Sequence, residues 1–498
     1  MEGIKKRIFY IFLALHAIFW TLLQLIRNTI SIDAMEAISW GELLSFGTNK
    51  HPPLSGWLMA GFYNFLGKSD ILVYILGQLC LLVGFIFIYK LAKFFISKEK
   101  AFCASMILEF CFYYTYGIFI DNYNCNVLLM GLIPVVTYYF YKSVNQNKAK
   151  DWLIFGITSG LAFLGKYQIV FIFLGMLLYL LISDREQFRK KGMYLAILTG
   201  SIVILPHVIW LFKNDFFSFA YMIERTESES HNMPLILVKL SHITYPLKFI
   251  GDQILAVLPC AVVYLFLMFQ SNFKNTTFKN VDIFSKKSVF LICIGIVPIL
   301  SHSIMGLITG SRVPGIWGSI MVCFVGILLF YFLPIKFNKE SFNYFAKLCY
   351  FGLFASLIAV GTFGVLQTKF FIAYPKNKIM SDFTNIWDIQ NNNVPLKYVT
   401  GHIKYCFYFN VYHPQHPKVI LETFGYKNPW VDHEDILKSG VIIVGGDEED
   451  VIQRTKETVI LLPKDYEITP EKYIMNVCNK IGKCEKHEFF YTIIPPVK

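Results

Sequence analysis

The residues equipped for chemistry are few and lie in short clusters between apolar runs. The richest cluster is "SIDAMEAISWGELLSFGTNKHPPLSGWL", residues 31–58, which holds Asp33, Glu36, Glu42, Lys50, His51 and the pair Pro52-Pro53. Asp33 and Glu36 are three positions apart, so a helix would put them on one face. A carboxylate sheltered by protein can take a proton from a nucleophile, orient it, or bind a cation. The two prolines fix two φ angles and would hold Lys50 and His51 on a rigid extended backbone. Both are then candidates to hold a phosphate or another anion. Asp121 in "FIDNYN" adds an acid, while Lys166 in "GKYQ" and Arg312 in "GSRVPG" add cations. Arg225, in a loop with Glu224 and His231, faces either a cavity or water. Each has a plainer reading. Charges are solvated by default, and a lysine at a helix tip can snorkel. His207, inside an apolar run, reads as a packing residue rather than a ligand.

The elements that must position these groups are membrane helices. The 498 residues are 55% hydrophobic, 17% aromatic and only 16% charged, against about 25% charged in a soluble domain. Mean hydropathy is +0.49. The apolar runs are continuous, which excludes a barrel of alternating strands. About eleven runs approach the length that spans a bilayer: 8–28, 71–96, 101–120, 124–142, 152–165, 168–183, 193–212, 246–269, 289–309, 315–334 and 348–367. The first is too long for a signal peptide core and lacks a small-residue cleavage site, so an uncleaved helix is expected. The net charge of +12 follows from topology rather than from nucleic-acid binding. One set of loops carries Lys5, Lys6 and Arg7, then Lys98 and Lys100, Lys148 and Lys150, Arg185 and Arg189, Lys286 and Lys287, and Lys336 and Lys339. Positive-inside puts this set and the N-terminus in the cytoplasm. The candidate residues then share the opposite side, and their common sidedness is what joins them.

The chain from about 368 onward is polar, with short β-branched runs such as "VIIVGG" and "TVILL" that read as buried strands. A small soluble α/β domain over 368–498 is expected beside a transmembrane domain over 1–367. Most of the 11 cysteines sit in apolar runs as small hydrophobes. Cys478 and Cys484 can pair if their compartment is oxidising. P-loop, dinucleotide, zincin and lipase motifs are absent.

An early outer-loop Asp followed by "HPPLSGWL", then "FIDNYNCNVLLMGLIPVVTYYFYKS", "GLAFLGKYQIVFIFLGMLLYLL", "LPHVIWLFKNDFFSF" and "GSRVPGIWG", and finally a soluble tail, resembles the polytopic GT-C glycosyltransferases. The subset is that of the bacterial lipid A aminoarabinose transferase and dolichyl-phosphate-mannose-protein mannosyltransferase-like enzymes. The resemblance covers about residues 1–335 in order. It departs from the pattern at Ala34, where the family has an acid beside the Asp, and after Arg312. It implies an inverting transferase in the bacterial inner membrane, with site and tail in the periplasm. The donor would be a polyprenyl-phosphate sugar, and the acceptor lipid A or another glycan or protein. Membrane lipids are the surroundings, and nucleic acid is no partner. Asp33 would be the base or orienting group, with Asp121 and Glu36 as supporting acids. Lys50, His51, Lys166, Arg312 and Arg225 would hold substrate. A divalent cation has room in such a site, but no ligands for it can be named. Two alternatives stand beside this: a protein O-mannosyltransferase-like enzyme, and a transporter or flippase of lipid-linked substrates. A transporter would need broken helices paired across two halves and charges near the midplane, whereas these polar groups lie at span ends.

Overall fold

The computed structural model describes residues 2–221, 234–270, 281–335, 337–368, 372–391, 394–420, 433–458 and 469–496. The chain forms two compact units. The first comprises Met1–Gln24, Phe46–Ser55 and Tyr74–Val360; the second comprises Leu25–Ser45, Gly56–Val73 and Gly361–Lys498.

The first unit is built from helices. Among the described residues of the chain, six helices are long and apolar enough to cross a membrane: Arg7–Gln24, Asp70–Ala92, Cys125–Gln146, Lys191–Lys213, Ile236–Gln270 and Lys339–Leu366. Two bent pairs can each supply one more: Lys98–Phe110 with Phe112–Asp121, bent by 78°, and Lys286–Gly295 with Val297–Thr309, bent by 42°. The second bend falls just before Pro298, which cannot donate an N–H to the preceding turn. The expected spans 152–165 and 168–183 form the shorter helices Ala149–Gly165 and Val170–Ser183. The expected span 315–334 is a 3-10 turn, Gly315–Ile320, followed by the short helix Val325–Phe332. The expected segments are thus largely helical, but among the described residues six helices, or eight with the bent pairs, rather than eleven are long enough to span.

Close packing of two helices sets the position of Lys166. Ala149–Gly165 carries "GITSG", and Lys191–Lys213 carries "AILTG". Small residues four apart let membrane helices approach backbone to backbone. A side chain at Gly156 would run into the Ala196 carbonyl, and one at Gly160 into Val203 and the Gly200 carbonyl. Gly156→Val is therefore expected to cost about 1–3 kcal/mol through overpacking. It should lower the apparent Tm of the detergent-purified protein by several degrees, and an unchanged Tm would refute this packing.

The second unit contains a five-stranded sheet in the order β2-β1-β3-β5-β4, with β1 Tyr398–Gly401, β2 Lys418–Ile420, β3 Val441–Gly445, β4 Glu471–Cys478 and β5 Cys484–Ile494. β1 pairs in parallel with β2 and β3, while β5 runs antiparallel to β3 and β4. Tyr398, Ile420, Ile436, Val441, Ile443, Val451 and Ile494 form its core. A Cys478–Cys484 disulfide closes the β4–β5 hairpin. The expected strand "TVILL" lies outside the described residues.

Helix Ile403–Tyr412 links β1 to β2, and buried His413 ends it. The Gln415 N–H donates to His413 Nδ1 at 3.2 Å, so the ring proton sits on Nε2 and points to Thr384 Oγ1 at 3.1 Å. Thr384 passes its own hydroxyl hydrogen to the Met380 carbonyl. A second ring proton would face the Gln415 N–H. Burial, reinforced by His416, lowers the His413 pKa to about 4. The unfolded chain therefore binds a proton that the folded unit refuses between pH 6.5 and 4. This contribution to stability is fully present above pH 6.5. It is lost as pH falls toward 4, by up to about 3 kcal/mol. Denaturant unfolding followed at both pH values should show the loss, and His413→Gln should reduce it.

Candidate functional site

In the first unit the centre is Lys166. Helix Ala149–Gly165 ends there, with Lys166 extended at φ −166°. Its side chain is only 7% exposed, so it does not snorkel. Nζ donates to Asn126 Oδ1 at 2.7 Å and lies 5.1 Å from the centroid of the Trp317 ring. Asn126 is fixed in the first turn of helix Cys125–Gln146, where the Asn124 side chain caps the N–H groups of Asn126 and Val127. Trp317 comes from the 3-10 turn that follows Arg312 and Pro314. Burying an ammonium is costly unless polar groups receive it. Here an amide oxygen and an aromatic face receive and orient it.

Two more polar groups lie beside it. Gln168 Nε2 and His302 Nε2 are 3.3 Å apart. The amide donates, which leaves the imidazole proton on Nδ1. His302 is 1% exposed. Its Nδ1 and the Gln168 Oε1 have no hydrogen-bond partner among the described residues. The His302 ring lies 6.0 Å from Trp317. Buried groups without partners need an explanation, and a donor close to an ammonium suits an anionic ligand.

The loop with Lys50 and His51 is tied to the same region. Thr48 organises it: Oγ1 accepts the N–H groups of Lys50 and His51 and donates to the His51 carbonyl at 2.8 Å. Ser218 donates to the Thr48 carbonyl at 2.6 Å. Trp210 lies flat against Gly47 and leaves no room for a side chain there. His207 Nδ1 donates to the Phe46 carbonyl at 2.7 Å, so its Nε2 accepts from the Tyr167 hydroxyl at 2.8 Å. His207 is thus a satisfied packing residue that joins the Lys166 turn to the Lys50 loop. Lys50 Nζ lies 5.8 Å from the Tyr221 ring centroid. The Tyr123 hydroxyl reaches the Ser55 carbonyl at 3.2 Å, which links the "DNYN" segment to the residues after Pro53. Asp121, half-buried, ends the short helix Tyr116–Asp121 of that segment. Arg312 is exposed.

Asp33 and Glu36 belong to the second unit, on helix Ile32–Leu43. Ser31 caps it by accepting the Ala34 N–H at 3.2 Å. Asp33 is exposed in its first turn, and Glu36 is 3% exposed. Arg225, Glu224 and His231 lie outside the described residues. Among the described residues no three His, Cys, Asp or Glu side chains converge as metal ligands.

Asn126, Gln168, His302 and Trp317 were not legible as site residues. They lie 40, 2, 136 and 151 positions from Lys166, and no spacing rule connects them. The fold over 97% of the chain matches 97% of ArnT from Cupriavidus metallidurans bound to undecaprenyl phosphate, with TM-score 0.61 and 13% identity. Residues 50–210 match the family described as dolichyl-phosphate-mannose-protein mannosyltransferase. Two relatives come from Rhizobium johnstonii. The lipid A galacturonosyltransferase RgtD is 22% identical over 37% of this chain and 39% of its own, and the lipopolysaccharide core galacturonosyltransferase RgtB is 24% identical over 53% and 54%. The chain spans about half the length, or less, of these curated relatives. In fold over nearly its whole length, and in sequence over residues 50–210, the chain resembles the polytopic GT-C glycosyltransferases.

Proposed function

We propose that the chain is an inverting glycosyltransferase that moves a sugar from a polyprenyl-phosphate donor to lipid A or the lipopolysaccharide core. The observation that carries this is buried Lys166, held by Asn126 against Trp317 beside His302 Nδ1, which has no hydrogen-bond partner among the described residues. This centre suits a phosphate whose charge grows as it leaves. A mainly apolar cavity of about 350 Å³, lined by Phe112, Tyr113, Leu255, Ala256 and Ile316 with Gly315 and the carboxylate of Asp252, reaches the sequence neighbour of Trp317 and has room for part of an isoprenoid chain. Likeness to a fold solved with undecaprenyl phosphate and to two lipopolysaccharide-modifying relatives supports the same donor and acceptor classes.

In this reading an acceptor oxygen attacks the anomeric carbon from the face opposite the phosphate. The new C–O bond forms as the sugar–phosphate bond breaks, and the electron pair leaves with the polyprenyl phosphate. Lys166, Lys50, His51 and Arg312 stabilise that phosphate, and Arg225 assists. Asp33 takes the proton of a hydroxyl acceptor, or orients an acceptor that is already an anion; Asp121 and Glu36 support it. The site and the second unit face the periplasm of a multi-pass inner-membrane protein, with the N-terminus cytoplasmic. The loop charges support this orientation, and so does the Cys478–Cys484 disulfide, which needs an oxidising compartment.

The test is mass spectrometry of lipid A and core from cells with the gene, without it, and with an Asp33→Ala copy. One sugar increment should disappear with the gene and stay absent with the mutant. Unchanged lipid A and core would refute the acceptor and redirect the search to glycoproteins.

A further inference from the structure

A second cavity, about 400 Å³, lies wholly within the second unit and has no part in the site above. Its volume is in the range of small-molecule sites. Tyr63, Lys68, Asp70, Lys376, Tyr412 and His416 line it. Lys376 Nζ donates to Asp70 Oδ2 at 2.6 Å, and the Tyr412 hydroxyl donates to the same oxygen at 3.2 Å. The ammonium also sits 4.4 Å from the Tyr412 ring centroid. The Ile30 N–H donates to the Tyr412 oxygen at 2.9 Å and fixes that ring. His416 Nδ1 donates to the Asn410 carbonyl at 3.0 Å, which leaves Nε2 as its acceptor nitrogen. Burial, then the charges of Asp70 and Glu42, raise the Tyr63 hydroxyl above its ordinary range, so it stays a donor.

These groups form a defined combination. A fixed carboxylate accepts sugar hydroxyls, aromatic faces pack on sugar C–H faces, and two lysines line the cavity against Asp70, with Glu42 close enough to act on Tyr63. The loop carrying Lys68 adds a further feature. Gly67 at φ 114° and Lys68 at φ 53° make a left-handed turn, and just before it Phe65 and Leu66 are 83% and 61% exposed. An apolar tip next to a cationic mouth suits the head of an amphiphile at a lipid–water boundary.

We propose that this cavity binds an anionic saccharide headgroup, with a ring on the tyrosines, hydroxyls on Asp70, and the phosphate or carboxylate on Lys376 and Lys68. The proposal rests on the glycosyltransferase reading only for the origin of that headgroup. Direct binding tests it on the purified full chain. The soluble probes are glucosamine 1-phosphate, inorganic phosphate and glucosamine by calorimetry, and the lipid probe is bis-phosphorylated lipid A in nanodiscs. Glucosamine 1-phosphate, lipid A or both should bind; lipid A alone would assign a lipid source, and the soluble probe alone a free sugar phosphate. Lys376→Met should weaken binding about tenfold or more. Lys68→Glu, on an exposed residue whose change leaves the fold intact, should weaken it severalfold. Lys472→Ala, in an exposed pair with Glu488 away from the cavity, should leave it unchanged. No binding of either saccharide probe overturns the proposal, as does binding indifferent to both lysine variants. Inorganic phosphate or glucosamine binding as tightly as the sugar phosphate overturns it too. Sugar transfer without binding here would leave the proposed function standing, and binding without transfer would leave this cavity standing.

Discussion

Asp33→Asn is expected to lower sugar transfer to a hydroxyl acceptor by about 10²- to 10⁴-fold, the usual share of a positioned general base. Donor binding should not change, because Asp33 is not assigned to the phosphate. Asparagine keeps the shape of the side chain and keeps Ser31 as the helix cap. Loss of one negative charge from the first turn of helix Ile32–Leu43 costs at most about 1 kcal/mol. The Tm of the variant separates a loss of rate from a loss of fold. An acceptor that is already a phosphate has no proton to give up, so the fall would then be smaller and reflect orientation alone. The size of the effect thus reports the acceptor's chemistry. Initial rates in proteoliposomes provide the measurement. Full activity of Asp33→Asn would remove Asp33 from the mechanism. Glu36, 3% exposed on the same helix, should behave differently: Glu36→Gln should cost stability as well as rate, because a buried carboxylate is held by its surroundings.

The helical membrane fold was legible because apolar runs near bilayer length have few other solutions in water or lipid. Strand β3 was legible for the same kind of reason: "VIIVG" is buried along its whole length. The β4–β5 hairpin was not read as strands. Glu471, Lys472, Glu485, Lys486 and Glu488 interrupt its apolar pattern, and only one face of β4 is buried. Span lengths were overestimated where Pro298 and the "VPG" segment break helices, since window hydropathy is blind to breaks. At the site, the sequence singled out Lys166 but favoured a snorkelling side chain. Its burial, its bond to Asn126 and the Trp317 face show that its ammonium turns inward. His207 was read correctly as packing, because a histidine within an apolar run must satisfy both ring nitrogens locally. The rigidity of Lys50 and His51 was assigned to the prolines, whereas Thr48 makes the turn that presents them.

Lys166→Met is expected to abolish most donor binding and to reduce transfer by about 10²- to 10³-fold, the scale on which one preorganised electrostatic group acts on a developing anion. Methionine matches the apolar stem and suits the face of Trp317, so the fold should survive. The cost is the Asn126 Oδ1 acceptor left without its 2.7 Å donor, about 1–3 kcal/mol. A subtler variant separates charge from shape. Asn126→Asp would place a carboxylate where the amide oxygen now accepts from Lys166, and would pair the ammonium internally. The side chains would keep their positions, but the centre would carry one unit less positive charge toward a ligand. Donor affinity should fall nearly as far as in Lys166→Met, whereas thermal stability should hold or rise. Undecaprenyl phosphate added to the purified protein gives the readout: it should raise the Tm of the wild type, and of neither variant. If Asn126→Asp keeps the wild-type shift, the charge of Lys166 is not what holds the phosphate, and the buried ammonium serves only to tie the end of helix Ala149–Gly165 to helix Cys125–Gln146.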